Sequence, residues 1–180
     1  MASVRAAHDG DVADIHDICL RAYVATYDGV APESYWRRML AEHYTPARVA
    51  KSIAAQPPGW LGYQVVEESG RVRGFAAGGL VPASAFPTSP SEVLGELHVL
   101  YLDPEDLGRG LGTLLLDRVT GQLRNRGATA IGAAALAGNT KAIPFYQARG
   151  FTPIGRRRAA GSSEAEDVWS VLLLRRLSPK

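Results

Sequence analysis

The chain has 180 residues, 46% of them hydrophobic and 21% charged, and its 20 Lys and Arg nearly cancel 18 Asp and Glu to leave a formal charge of +2. That length suits one domain with a full core, the composition excludes disorder over most of the chain, and the balanced charge excludes a dedicated nucleic-acid binder. The single cysteine, Cys19, can form no intrachain disulfide, the first residues lack the apolar stretch of a secretion signal, and no run approaches the ~18 apolar residues of a membrane span. A reducing, cytoplasmic setting with no membrane partner is the expectation.

In chain order, a short strand from Ser3 leads to a turn at Asp9 and Gly10. A helix follows, with Val12, Ile15, Ile18, Cys19 and Ala22 at helical spacing, and Gly29 ends it. Two short helices come next, one opened by Pro32 and Glu33, the other capped by Thr45 with Pro46 at its first position. From Gly59 the pattern becomes that of an antiparallel hairpin turning at residues 68 to 71, and a Pro- and Ser-rich surface loop, residues 82 to 91, leads into a long strand over 92 to 103. Regular alternation along that strand would put Leu97, Val99 and Tyr101 on one face and Glu96, His98, Leu100 and Leu102 on the other. A helix is predicted over about 108 to 126, with Leu111, Leu115, Val119 and Gln122 or Leu123 as its apolar stripe, then a strand near 128 to 136, giving a strand-helix-strand crossover. The chain closes with a helix capped by Asn139, kinked by Pro144 and stopped at Gly150, and two strands near 151 to 158 and 167 to 176.

Between the long strand and the crossover helix lies Leu107-Gly108-Arg109-Gly110-Leu111-Gly112-Thr113. A helix N-terminus exposes unpaired N–H groups and a partial positive charge, and glycines let an anion approach them closely, so a phosphate is the natural occupant. The nucleotide-hydrolase loop is excluded because no Lys-Ser/Thr pair ends the turn. The dinucleotide fingerprint is excluded because Thr113 stands where its third glycine belongs.

This turn, with Asn139-Thr140-Lys141-Ala142-Ile143-Pro144-Phe145-Tyr146-Gln147-Ala148-Arg149-Gly150-Phe151 downstream, resembles the GCN5-related N-acetyltransferase (GNAT) superfamily, whose acyl-CoA motif is Gln/Arg-x-x-Gly-x-Gly/Ala. The resemblance covers residues 3 to 177 as one N-acetyltransferase domain, and Leu107 departs from it where the superfamily has Gln or Arg. It implies an α/β fold, a mixed central sheet of about seven strands flanked by helices, with strands four and five splayed apart, often at a bulge in strand four. It also implies acetyl-CoA as cosubstrate, its pyrophosphate held by the backbone of residues 107 to 113 (Leu107, Gly108, Arg109, Gly110, Leu111, Gly112, Thr113). Its pantetheine arm would meet Leu100, Tyr101, Leu102 and Asn139. Arg109 either reaches a phosphate or is a solvated surface arginine.

Acetyl transfer to an amine needs a neutral nucleophile and a proton for the departing thiolate. By the same resemblance Glu96 is the first candidate for the base, with substrate-cation binding as its alternative, and Tyr146 is the acid. His98, with an unperturbed pKa near ~6.5, is a second candidate base. His8, His16 and His43 show no metal-ligand spacing, so no metal is expected. The acceptor pocket would be built from the early helices and the 82 to 91 loop, with Tyr23, Tyr27, Tyr35 and Trp36 as lining aromatics and Asp28 and Glu33 as attracting charges. Arg156, Arg157 and Arg158 alternate across a strand and read as ordinary surface. A small primary amine is the expected acceptor; protein N-termini or lysines are the alternative, and a non-catalytic acyl-CoA sensor is the reading from another class. The exposed final hairpin is a surface through which a homodimer could form.

Overall fold

The computed structural model describes residues 1–178. Seven strands form one mixed sheet in the order β1-β2-β3-β4-β5-β7-β6: β1 (Ser3–Ala6), β2 (Gln64–Glu68), β3 (Arg71–Val81), β4 (Leu94–Leu102), β5 (Ala130–Leu136), β6 (Thr152–Arg158) and β7 (Trp169–Arg176). Every neighbouring pair is antiparallel except β4 and β5, which are parallel and joined by the helix α4 (Leu111–Asn125). This is the mixed α/β architecture expected of the sequence.

The periodicities explain the layers. On α4, Leu111, Leu115, Leu116, Val119 and Leu123 are buried and cover one face of the sheet with Leu97, Ala76 and Ile131. Burying each such side chain contributes about 1.5–3 kcal/mol. Gly95 lies under Leu123, which fills the space a Cβ would need. The opposite face is covered by α1 (Val12–Tyr27), α2 (Glu33–His43) and α3 (Pro46–Ile53) through Ile15, Ile18, Cys19, Trp36 and Val49, packed on Val65, Phe75 and Val99. Thr45 caps α3, its hydroxyl accepting from the Arg48 amide. Burial with no partner pushes the Cys19 thiol pKa up, consistent with a small core hydrophobe.

Two details differ from the sequence reading. First, β4 does not alternate regularly. Ala77 of β3 pairs with Val99 and Gly78 with Leu97, so His98 is an extra residue, a β-bulge. Leu97 therefore shares the α4 face with Leu100 and Leu102, while Val99 and Tyr101 pack with the α1 side. Second, the helix α5 spans only Ala142–Gln147, and Pro144 falls in its first turn. The amides on either side of it, of Ile143 and Phe145, bond to the Asn139 and Lys141 carbonyls at 3.3 and 3.2 Å, so the turn continues across the proline with only its own amide bond missing.

Candidate active site

The bulge coincides with a break in the sheet. Pairing between β4 and β5 runs from Leu94 opposite Ala130 to Leu97 opposite Ala133 and stops there. Beyond that point β4 stays on β3 as far as Leu102, and β5 stays on β7 as far as Leu136, so the two strands part. The main-chain groups of successive strand residues turn to opposite neighbours. Because the Asp103 amide donates to the Arg73 carbonyl at 2.8 Å, Tyr101 also turns its main chain to β3, whereas Leu100 and Leu102 turn theirs into the gap. Of the three residues expected along a pantetheine arm, Leu100 and Leu102 thus offer main-chain groups and Tyr101 offers its side chain.

A cleft of about 440 Å³ opens here, and it brings together Leu100, Tyr101, Leu102, Leu107, Gly108, Gly110, Gly112, Thr113, Asn139 and Tyr146. At its floor the turn into α4 passes through Gly108 and Gly110, with φ of +79° and +82°. Both lie in the left-handed region that favours glycine, although a Cβ on either would meet no neighbour. Among the described residues the amides of 108 to 112 make no hydrogen bond to the protein, and the first amide to find a partner is that of Thr113, bonded to the Gly110 carbonyl at 3.1 Å. Gly112 is a different case: a Cβ there would stand 3.1 Å from the Phe145 ring. Leu107 keeps its apolar side chain on the cleft wall, and Leu111 buries its own in the core.

Two arginines flank the turn and do different things. Arg109 is held by Glu68 at 2.5 Å and by Asp106, ion pairs that raise its pKa further, and its side chain is absent from the cleft wall. Its amide, not its side chain, is left free at the turn. Arg149, which sequence reasoning passed over, lies in the wall and donates from Nε and Nη2 to Thr113 Oγ1 at 2.9 and 2.6 Å. Its guanidinium sits 3.8 Å from the Phe145 ring centroid and pairs with no carboxylate among the described residues. At the end of a helix, such a residue looks in sequence like an ordinary complement to the helix dipole.

Asn139 Oδ1 accepts from the amides of Lys141 at 3.1 Å and Ala142 at 2.9 Å, capping the start of α5 and aiming that helix at the cleft. A cap of this kind is worth about 1 kcal/mol. Tyr146 is buried, and that burial pushes its pKa above the ordinary tyrosine range, so the hydroxyl keeps its proton at neutral pH. It makes no hydrogen bond to the protein among the described residues.

Glu96 and His98 meet at the upper end of the paired half of β4. Glu96 is not in the cleft wall; Oε1 accepts from Arg157 Nη2 at 3.4 Å and Oε2 lies 3.7 Å from His98 Nδ1. His98 is in the wall, with Nε2 2.9 Å from the Gly59 carbonyl and its ring stacked on Trp60. Arg157 is therefore no ordinary surface residue: Nη1 donates to the Ala85 carbonyl at 3.0 Å, its guanidinium lies over Phe86, and it ties the 82 to 91 loop to Glu96. Of the expected acceptor aromatics, Tyr23, Tyr35 and Trp36 are core. Tyr27 alone reaches the cleft, its hydroxyl 2.6 Å from that of Tyr101. Asp28 is exposed outside the cleft wall, and Glu33 is taken by Arg37 at 2.5 Å.

Residues 11–151 match the model of the acetyltransferase (GNAT) family. The chain is 38% identical over 76 residues to a mycothiol acetyltransferase of Beutenbergia cavernae, covering 42% of this chain and 26% of that protein. It is 29% identical over 144 residues to a mycothiol acetyltransferase of Cellulomonas flavigena, covering 74% and 40%. The chain thus spans between about a quarter and two-fifths of the length of these relatives. Among solved structures it superposes on the PaiA N-acetyltransferase of Thermoplasma acidophilum in complex with coenzyme A, with a TM-score of 0.77 and 18% identity over 98% of this chain and 99% of that one. The fold, the split between β4 and β5 and the family match agree, and the chain belongs to the acetyltransferase (GNAT) family.

Proposed function

We propose that the protein transfers an acetyl group from acetyl-CoA to a primary amine of a small molecule. The observation that carries this reading is the pairing of two unsatisfied main-chain surfaces in one cleft: the row of free amides at 108 to 112, and the Leu100 and Leu102 groups turned into the gap. The amides of 108 to 110 are exposed and Leu100 and Leu102 half-buried, so both surfaces are open to a ligand that is anionic at one end and amide-bearing along its length. Acetyl-CoA fits, and it supplies an activated acyl thioester. The names of the curated relatives support a small acceptor over a protein.

The chain's own residues then divide the work. The amides of 108 to 112 and the dipole of α4 hold the pyrophosphate, and Arg149 adds a cation beside them. Leu100 and Leu102 orient the arm by strand-like hydrogen bonds, and Asn139 fixes the helix that carries Tyr146. Tyr146 Oη holds a proton at neutral pH and can give it to a departing thiolate. Glu96 and His98 stand on the acceptor side.

Calorimetric titration with acetyl-CoA tests the shared premise. Binding should be tight in the wild type and about a hundredfold weaker in a folded Gly110→Val variant. A thiol-release assay with spermidine, phenylethylamine, a hexosamine and free amino acids then reports turnover. A folded wild-type protein that binds no acetyl-CoA would overturn the reading.

A further inference from the structure

Arg149, just past the end of α5, meets Thr113 in the first turn of α4 because the two helices approach closely. Gly112 has no Cβ, and one placed there would lie 3.1 Å from the Phe145 ring, so the ring seats on glycine with the Arg149 guanidinium 3.8 Å from its centroid. A guanidinium has five N–H donors and no acceptor. Three of them are spent within the protein: Nε and Nη2 donate to Thr113 Oγ1 at 2.9 and 2.6 Å, and Nη1 donates to the Phe145 carbonyl at 2.9 Å. One N–H is left on each terminal nitrogen. Those bonds also take both lone pairs of Thr113 Oγ1, so its own proton must turn elsewhere, and no protein acceptor receives it among the described residues. Both side chains line the cleft, and among the described residues no carboxylate does. The result is a fixed spot with a positive charge, three free donors and nothing to accept.

We propose that Arg149 and Thr113 seat the ribose 3′-phosphate of acetyl-CoA and make the chain select the complete cosubstrate over its dephosphorylated form. The inference rests on the cleft being the acetyl-CoA site. The spot is separate from the glycine turn, since the run of free amides ends at 112, where the Thr113 amide is already bonded to the Gly110 carbonyl. The nucleotide end of acetyl-CoA carries two anionic groups, and the two donor sets suit different ones. Each phosphorus of the pyrophosphate keeps a single charge, which the main-chain amides of the turn can meet. The 3′-phosphate is a monoester with three terminal oxygens and up to two charges at neutral pH, which a charged fork and a hydroxyl fit better. Neither of the other side chains placed for this task is free to do it. Leu107, where the superfamily has Gln or Arg, gives the cleft only an apolar side chain, and Lys141, the other cation of the wall, gives its Nζ to the Ala25 carbonyl of α1 at 3.3 Å.

Calorimetric titration with coenzyme A and with 3′-dephospho-coenzyme A tests the assignment. The wild type should bind coenzyme A about tenfold more tightly than the dephospho form. In Arg149→Ala that preference should vanish through a loss for coenzyme A alone, with the affinity for the dephospho form unchanged within about twofold. Thr113→Val keeps the shape of the side chain and removes the hydroxyl, so the preference should fall about threefold, again with no change for the dephospho form. A purely structural role for Arg149, or one directed at the pyrophosphate, would weaken both ligands alike. Such an equal loss, or a wild type that binds the two ligands equally, would overturn the proposal and leave the proposed function standing. A wild type that binds neither ligand would overturn both.

Discussion

The two halves of β4 differ in what borders them. From Leu94 to Leu97 the strand has β3 on one side and β5 on the other, and Leu94 and Leu97 go into packed core. From His98 to Leu102 it has β3 alone, and the main-chain groups that β5 would have satisfied face a cleft. One inserted residue separates the halves. The difference shows how a sheet can make a binding slot without lengthening a loop: a bulge re-aims the strand, pairing ends, and hydrogen-bonding capacity is left for a ligand. The closed half should govern stability and the open half binding.

That division can be broken by substitution. Leu94→Ala removes a buried side chain from the closed half, 2% exposed in the small cluster with Phe86, Leu172 and Leu174. Denaturant unfolding should show a loss of about 2–5 kcal/mol, while the acetyl-CoA dissociation constant of the folded protein stays within a few-fold. Gly110→Val should do the reverse within the cleft. A β-branched residue at a φ of +82° strains the turn and displaces its free amides, and affinity should fall about a hundredfold, roughly 2.7 kcal/mol. Equal losses of affinity in both variants would dissolve the distinction. Arg149→Ala sharpens it further, because it removes a cation without touching the turn's backbone. Calorimetry at rising salt should show about a tenfold weaker complex whose affinity depends less steeply on ionic strength.

How much of this could be read from the sequence follows from what leaves a local trace. The stripes of α1 and α4, the Thr45 cap and the crossover are periodic or positional signals, and they led to the right elements. The glycine turn was legible because its left-handed residues have to be glycine. The place of the bulge was not, since His98 leaves composition and hydropathy unchanged, and alternation counted through it misassigned Leu97 to the face of Val99 and Tyr101. Arg149 and Arg157 were missed for a related reason. An arginine at a helix end or on an edge strand looks solvated until the partner supplied by another element is known, here Thr113 for one and Glu96 for the other. The candidate aromatics Tyr23, Tyr35 and Trp36 erred in the opposite direction, their helical spacing being that of core.

A place remote from both halves of β4 provides the gentlest comparison. Glu166, in the turn between β6 and β7, receives two bonds of 2.8 Å from Arg38 of α2 and one of 3.0 Å from the Ser163 amide. Those donors favour the carboxylate and push its pKa down to about 2 from the ordinary 4.5. The unfolded chain therefore takes up a proton near pH 4.5 that the folded chain refuses until about pH 2. The stabilisation is complete above the first value and is lost as the pH falls towards the second. Because Arg38 is 38% exposed, the effect should be small and salt-sensitive. Glu166→Gln should flatten that part of the acid-stability profile in thermal melts taken from pH 6 to pH 2. Acetyl-CoA affinity at neutral pH should not change, because this clamp holds a turn onto α2 and contributes no group to the cleft. A change in affinity there would mean that the β6–β7 turn and the open half of β4 communicate, through Arg157 and the loop it ties to Glu96.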